Sequence, residues 1–375
     1  MIVAEPVTLT AQDGASFPAT VHRDADQPRR TAFVMMHPSS DWQLQFLLGL
    51  LAARGFGALG SANRYANREA ELLLEHTLLD WAACVDHLRA QGYRNIIGIG
   101  YSGGGEIAAG YQSESIRPTI KGTCMGDPPD ITRARLTPMD GLVMFNAHAG
   151  RPHSVTLSLD PSVGGESGND PLHYDASLDM FNPQNGPPFS DEFRARYRAA
   201  QIERNHKITR WCQGMLTRIK ATANPLMTDI PFIVHRTDAN LHFLDETKSD
   251  TSKKEATRWG LDARTANYTP GPLRGNSTRL MVLTHASWLS QRSLATSQFD
   301  VLRFLPQCQM PTLVVWGTAD AAGSAQSKAI LDASPDNAKK FVAIDGGTHF
   351  MRGQPDKQAE VADSIATWAR ERGLD

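Results

Sequence analysis

The pentapeptide Gly100-Tyr101-Ser102-Gly103-Gly104 fits G-x-S-x-G, a pattern whose serine can attack an acyl carbon. Glycines on both sides let the chain turn sharply without Cβ clashes. Such a turn exposes the hydroxyl and sets the N–H of Gly103 beside it, where a developing oxyanion would stand. Five residues alone are a weak signal. Their context strengthens it: residues 95–100 (NIIGIG) read as a short apolar strand, and residues 106–112 open a helix. The serine therefore falls on a strand-to-helix turn, where acyl-transfer nucleophiles are found.

The elements around that turn follow a rhythm. Residues 7–21 alternate about Asp13-Gly14, which predicts a hairpin. Residues 31–37 (TAFVMMH) form an apolar run stopped by Pro38, as for a strand buried on both faces. Residues 42–53 read as a helix and 57–62 as a strand. In residues 69–91, Leu74, Leu78, Trp81, Val85 and Leu88 make one helical stripe, ended by Gly92. Residues 140–147 (DGLVMFNA) give the next buried strand. Alternating strands and helices predict a parallel sheet covered on both faces.

The rhythm stops near residue 150 and resumes at 312–316 (TLVVW), followed by a helix at 325–333, a strand at 340–344 and a helix at 357–372. Between them lie long polar loops and one helical stretch with an apolar stripe of Phe193, Tyr197, Ala200, Ile208, Trp211, Met215 and Ile219. Ser190 can cap that helix. The Arg-rich run at 194–218 reads as its solvated face. The predicted organisation is a core in two parts, 1–149 and 306–375, split by an insertion at 150–305.

In motif and element order the chain resembles the α/β-hydrolase superfamily over roughly residues 1–150 and 306–375. The resemblance implies an α/β class fold, a mostly parallel central sheet flanked by helices, with a large cap or lid insertion after the sixth strand. A serine hydroxyl needs a base, and the family carries a histidine in the loop after its last strand. Here that loop is Asp345-Gly346-Gly347-Thr348-His349-Phe350, so His349 matches. The acid that orients the histidine usually follows the preceding strand, which gives Asp320; Asp345 and Asp160 are weaker substitutes. The oxyanion hole takes one donor from Gly103 and a second from the loop after residues 31–37. Where many relatives have His-Gly, this chain has His37-Pro38-Ser39-Ser40. Proline has no N–H, so the second donor falls to Ser39.

The expected function is hydrolysis of a carboxylic ester of a medium-to-large apolar or aromatic small molecule through an acyl-enzyme on Ser102. Amide, lactone, thioester or C–C bond cleavage by the same triad is the alternative, and a non-hydrolytic binding or perhydrolase-like role stands further off. Tyr101, Trp211 and Trp288 are candidate substrate contacts, and the polar loops at 161–188 and 248–277 candidate lids. A formal net charge of −2 and the lack of a basic run argue against nucleic-acid partners. No apolar run approaches the length of a membrane span, and residues 1–14 lack the pattern of a signal peptide, so the expected location is the cytoplasm. The four cysteines form no C-x-x-C pair. No metal and no cofactor is expected, and the sequence leaves homo-oligomerisation open.

Overall fold

A computed structural model describes residues 1–237, 239–241, 280–320, 324–335 and 339–375. The chain divides into one unit made of Met1–Glu69, Leu73–Gly150 and Phe299–Asp375, and a second made of Ala70–Leu72 and Arg151–Gln298.

In the first unit, β1 (Ile2–Thr10) and β2 (Ser16–Asp24) form the hairpin around Gly14, whose φ is +87°. The apolar runs then become β3 (Thr31–Met36), β4 (Gly57–Ser61), β5 (Asn95–Tyr101) and β6 (Gly141–Phe145). In the second unit, β7 (Pro231–Val234) and β8 (Met281–Thr284) make a separate antiparallel ribbon. The first unit closes with β9 (Thr312–Gly317) and β10 (Lys339–Ile344). Its sheet runs β1-β2-β4-β3-β5-β6-β9-β10, antiparallel through β1, β2 and β4 and parallel from there on. Parallel strands covered on both faces need apolar side chains throughout, and every residue of β3, β4 and β6 is buried.

One face is packed by α1 (Phe46–Ala52) and the C-terminal helix Pro355–Glu371. Leu47, Leu51, Val361, Ile365 and Trp368 meet Phe33, Met35, Val143, Phe145, Leu313 and Val315 there. Helices α2 (Leu74–Ala90) and α3 (Gly104–Ile116) pack on each other and on β3 and β5. The helix read from residue 42 starts only at Phe46, because the Gln45 side chain accepts the Leu47 N–H and caps it there.

The second unit contains α4 (Arg151–Thr156), α5 (Asp191–Ala221) and the helix His285–Gln291. Ser190 Oγ accepts the Phe193 N–H at 3.1 Å, and Asp191 and Glu192 stand in the first turn of α5, where the helix dipole favours carboxylates. Phe193, Tyr197 and Ile208 are buried as the stripe predicts. Trp211 and Met215 are only half-buried, whereas Gln201, Arg204, Asn205 and Thr209 are buried. The run at 194–218 is thus not wholly a solvated face. The loop at 248–277 lies outside the described residues. Among those residues no helix is long and apolar enough to cross a membrane.

Candidate active site

The parallel strands bring their carboxyl ends to one edge of the sheet, and the chemistry-bearing residues follow those ends. The loop His37–Ser40 follows β3, Ser102 follows β5, Asn146 and His148 follow β6, Asp320 follows β9, and His349 follows β10.

Ser102 has φ of +55°, a left-handed conformation that costs a non-glycine residue about 1–3 kcal/mol. Its neighbours hold it there. The Ser102 N–H donates to the Phe145 carbonyl at 3.1 Å, and the Ser102 carbonyl accepts the N–H groups of Gly105 and His148 at 3.1 and 3.2 Å. The turn is tight enough to require glycine. A Cβ on Gly104 would stand 2.5 Å from the Met36 carbonyl, and one on Gly100 would stand 2.7 Å from the Gly105 Cα. The same close approach brings the end of β3, and so the His37–Ser40 loop, against the start of α3.

His349 lies between Ser102 and Asp320. Its Nε2 is 2.8 Å from Ser102 Oγ, and its Nδ1 is 2.9 Å from Asp320 Oδ2. The His349 and Asp320 side chains are both completely buried. An ionised carboxylate only accepts hydrogen bonds, so Nδ1 carries the proton and Nε2 is left to accept from the serine hydroxyl. The two loops are stitched together. The Ala319 N–H donates to the Gly347 carbonyl at 3.0 Å, and the Thr318 N–H to the Ile344 carbonyl at 3.0 Å. A side chain at Gly317 would collide with that Gly347 carbonyl, at 2.3 Å. Asp345 accepts from Thr318 Oγ1 instead, and Asp160 pairs with Arg236 in the second unit.

Gly103 is the N-cap of α3, so its N–H is among the terminal donors that the helix itself leaves unsatisfied. The second proposed donor departs from expectation. The Ser39 N–H donates to Nδ1 of His37 at 3.1 Å, and that imidazole stacks on Trp42 with ring centroids 4.7 Å apart. Asn63 fixes the loop by donating from Nδ2 to the His37 and Pro38 carbonyls at 2.9 and 3.0 Å.

Two of the expected substrate contacts are fully buried. Tyr101 is fully buried with its hydroxyl donated to the His349 carbonyl, because the strand it ends packs beneath that loop. Trp288 is fully buried in the second unit, and its Nε1 donates to Thr209 Oγ1. Trp211, half-buried, packs on Phe232 and His285. Conversely, sequence reasoning passed over Asn146. The His148 ring lies nearly parallel to the His349 ring at 5.7 Å, and Asn146 donates to the His349 carbonyl at 3.1 Å. Their place just beyond a parallel strand's carboxyl end was the available signal. Among the described residues no group of three His, Cys, Asp or Glu side chains has metal-binding geometry.

No family model and no curated protein sequence matches the chain. Solved structures do match it. One is the alpha/beta hydrolase GrgF from Penicillium sp. sh18, at a TM-score of 0.54 and 9% identity over 99% of each chain. Another is Est1E from Butyrivibrio proteoclasticus, at 0.52 and 13% identity over 99% of this chain and 100% of that one. The chain has the α/β-hydrolase fold. In that fold Ser102 stands on the turn between β5 and α3, at the positive φ already described.

Proposed function

We propose that the protein is a serine hydrolase that cleaves a carboxylic ester of a medium-to-large apolar or aromatic small molecule. The observation that carries this reading is the chain of contacts from Ser102 Oγ through the buried His349 ring to Asp320 Oδ2, at 2.8 and 2.9 Å. A serine hydroxyl held on a strained turn within hydrogen-bond reach of an imidazole is the arrangement that nucleophilic acyl transfer uses.

The steps follow from that geometry. His349 Nε2 takes the Oγ proton as Oγ bonds to the ester carbonyl carbon, and Asp320 stabilises the imidazolium. The carbonyl oxygen becomes an oxyanion that the Gly103 N–H meets. A second donor from Ser39 requires its N–H to leave His37 Nδ1. Collapse breaks the bond to the alkoxide, which receives the proton from Nε2 and leaves as the alcohol. Water then gives its proton to Nε2 and attacks the acyl-enzyme, releasing the acid and restoring Ser102. Est1E has been captured with ferulic acid, an aromatic carboxylic acid, which adds aromatic acyl groups to the substrates worth testing.

The test is a panel of activated esters with short, long and aryl acyl groups, run with wild type and Ser102→Ala. Serine-dependent turnover that is greatest on long or aryl acyl groups is the expected result. Turnover confined to acetyl esters would remove the substrate class, and turnover equal in the two proteins would remove the mechanism.

A further inference from the structure

We propose that Asn146 is a positioning residue that fixes the general-base loop against both the nucleophile and the acid, with Tyr101 as its partner. The inference rests on the serine-hydrolase reading above and names what keeps its three residues in register.

His349 must keep Nε2 at 2.8 Å from Ser102 and Nδ1 at 2.9 Å from Asp320 at once. Its loop has no ladder to do this: it follows β10 and turns through positive φ at Gly346 and Met351, +68° and +48°. Beside the Ala319–Gly347 backbone bond and the Gln354 side chain's bonds to Gly346 and Thr348, it has one carbonyl with two side-chain donors. The Tyr101 hydroxyl donates to the His349 carbonyl at 2.5 Å, and Asn146 Nδ2 donates to the same oxygen at 3.1 Å. Asn146 Nδ2 also reaches the Thr348 carbonyl at 3.4 Å. On its other side, Asn146 Oδ1 accepts the Gly317 N–H at 2.8 Å, at the end of the strand that leads to Asp320. Only the oxygen of the carboxamide can face an N–H and only its NH2 can face carbonyls, so the side chain has one orientation.

This carboxamide therefore adds a side-chain tie between the loop carrying the base and the strand end carrying the acid, next to the backbone bond from Ala319 to Gly347. Tyr101 adds the strand end carrying the nucleophile, since it directly precedes Ser102. Asn146 is 1% exposed, and its carboxamide is engaged by the His349 carbonyl on one side and the Gly317 N–H on the other, so it acts through His349. Its backbone sits at φ +42°, a region that asparagine tolerates better than most side chains, and its N–H is fixed to the Val315 carbonyl at 3.0 Å.

The experiment compares wild type, Asn146→Ala, Asn146→Asp and Tyr101→Phe in kcat, KM and the low-field proton NMR signal of the His349 Nδ1–H. Asn146→Asp keeps the shape and the acceptor for Gly317 while removing the donation to His349. Both Asn146 variants are expected to lower kcat by about 10–10²-fold, the size of effect an ångström of misplacement produces, with KM nearly unchanged. The Nδ1–H signal is expected to broaden or shift in both, and Tyr101→Phe to show a smaller loss. A folded Asn146→Ala with wild-type kcat and an unmoved signal overturns the proposal. So does a loss of kcat that only tracks the folded fraction in a thermal melt. Activity that survives Ser102→Ala would instead overturn the hydrolase reading, while the NMR signal would still decide whether Asn146 positions the ring.

Discussion

In the first unit the interior is Phe33, Met35, Val143, Phe145, Leu313 and Val315 facing Leu47, Ile365 and Trp368. In the second, α5 buries Gln201, Arg204, Asn205 and Thr209 among its apolar side chains. The difference lies in who satisfies the backbone. A sheet and its helices pair their own N–H and C=O groups, so their side chains are free to be hydrocarbon. Loops have no ladder, and buried loop carbonyls need donors from elsewhere. Gln201 Nε2 donates to the Leu157 and Leu159 carbonyls at 2.7 and 3.0 Å. Arg204 reaches the carbonyls of Gly168, Asp160 and His235 at 2.9, 2.7 and 2.8 Å. Burial pulls its guanidinium down to about 10, and it still remains charged at neutral pH. Asn205 donates to the Arg292 carbonyl at 2.8 Å and accepts the Leu294 N–H at 3.0 Å.

Substitutions that change volume and substitutions that change hydrogen bonding should therefore rank differently in the two units. Leu313→Ala is expected to cost about 2–5 kcal/mol in urea unfolding, from lost transfer free energy and the cavity left in the sheet core. Asn205→Leu keeps the number and branching of the side-chain heavy atoms yet strands the Arg292 carbonyl and the Leu294 N–H, for about 2–6 kcal/mol at 1–3 per buried group. A volume-conserving change in the first unit, Leu313→Met, should cost less than about 1.5 kcal/mol. If Asn205→Leu proves as mild as Leu313→Met, the contrast between the units is wrong. Ser190→Ala removes the α5 cap and should cost about 1 kcal/mol.

The smallest effect is one of pH. Burial pushes the Asp229 carboxyl up, but hydrogen bonds from His285, the Ala286 and Ile230 N–H groups and Thr284 outweigh it and hold it below its usual value of 3.8. A carboxyl lowered on folding stabilises the native state above its unfolded value, and that stability is lost as pH falls through the lower folded value. Unfolding midpoints measured from about pH 5 down to about pH 2 should show this loss, and Asp229→Asn should flatten it.

The same contrast governs what the sequence made legible. Runs such as residues 31–37 and 312–316 announce strands because the first unit's core is apolar, and period and composition record that directly. The elbow could be read because Ser102 and its glycines are contiguous. His349 and Asp320 were singled out because the family the chain resembles carries its base and acid after the last two strands. The place of Asn146 after β6 was legible from element order but its partner was not, being a carbonyl 203 positions away, and the Tyr101 hydroxyl is likewise used 248 positions away. Arg204 looked like a solvated charge because hydrophobic periodicity cannot see which loop carbonyls come to lie against a helix. Ser39 was assigned from what its backbone can donate, and the acceptor that takes its N–H, the His37 ring, is set by the fold of the loop.

The central claim is that Ser102 is a nucleophile activated by His349. Mass spectrometry of the protein after exposure to a fluorophosphonate, for wild type, Ser102→Ala and His349→Ala, tests it most directly. One adduct on Ser102 of the wild type, none on Ser102→Ala, and labelling slowed by several orders of magnitude in His349→Ala is the expected result, matching a turnover loss of about 10⁶-fold in Ser102→Ala. An unlabelled wild type, or labelling of His349→Ala at the wild-type rate, would contradict it.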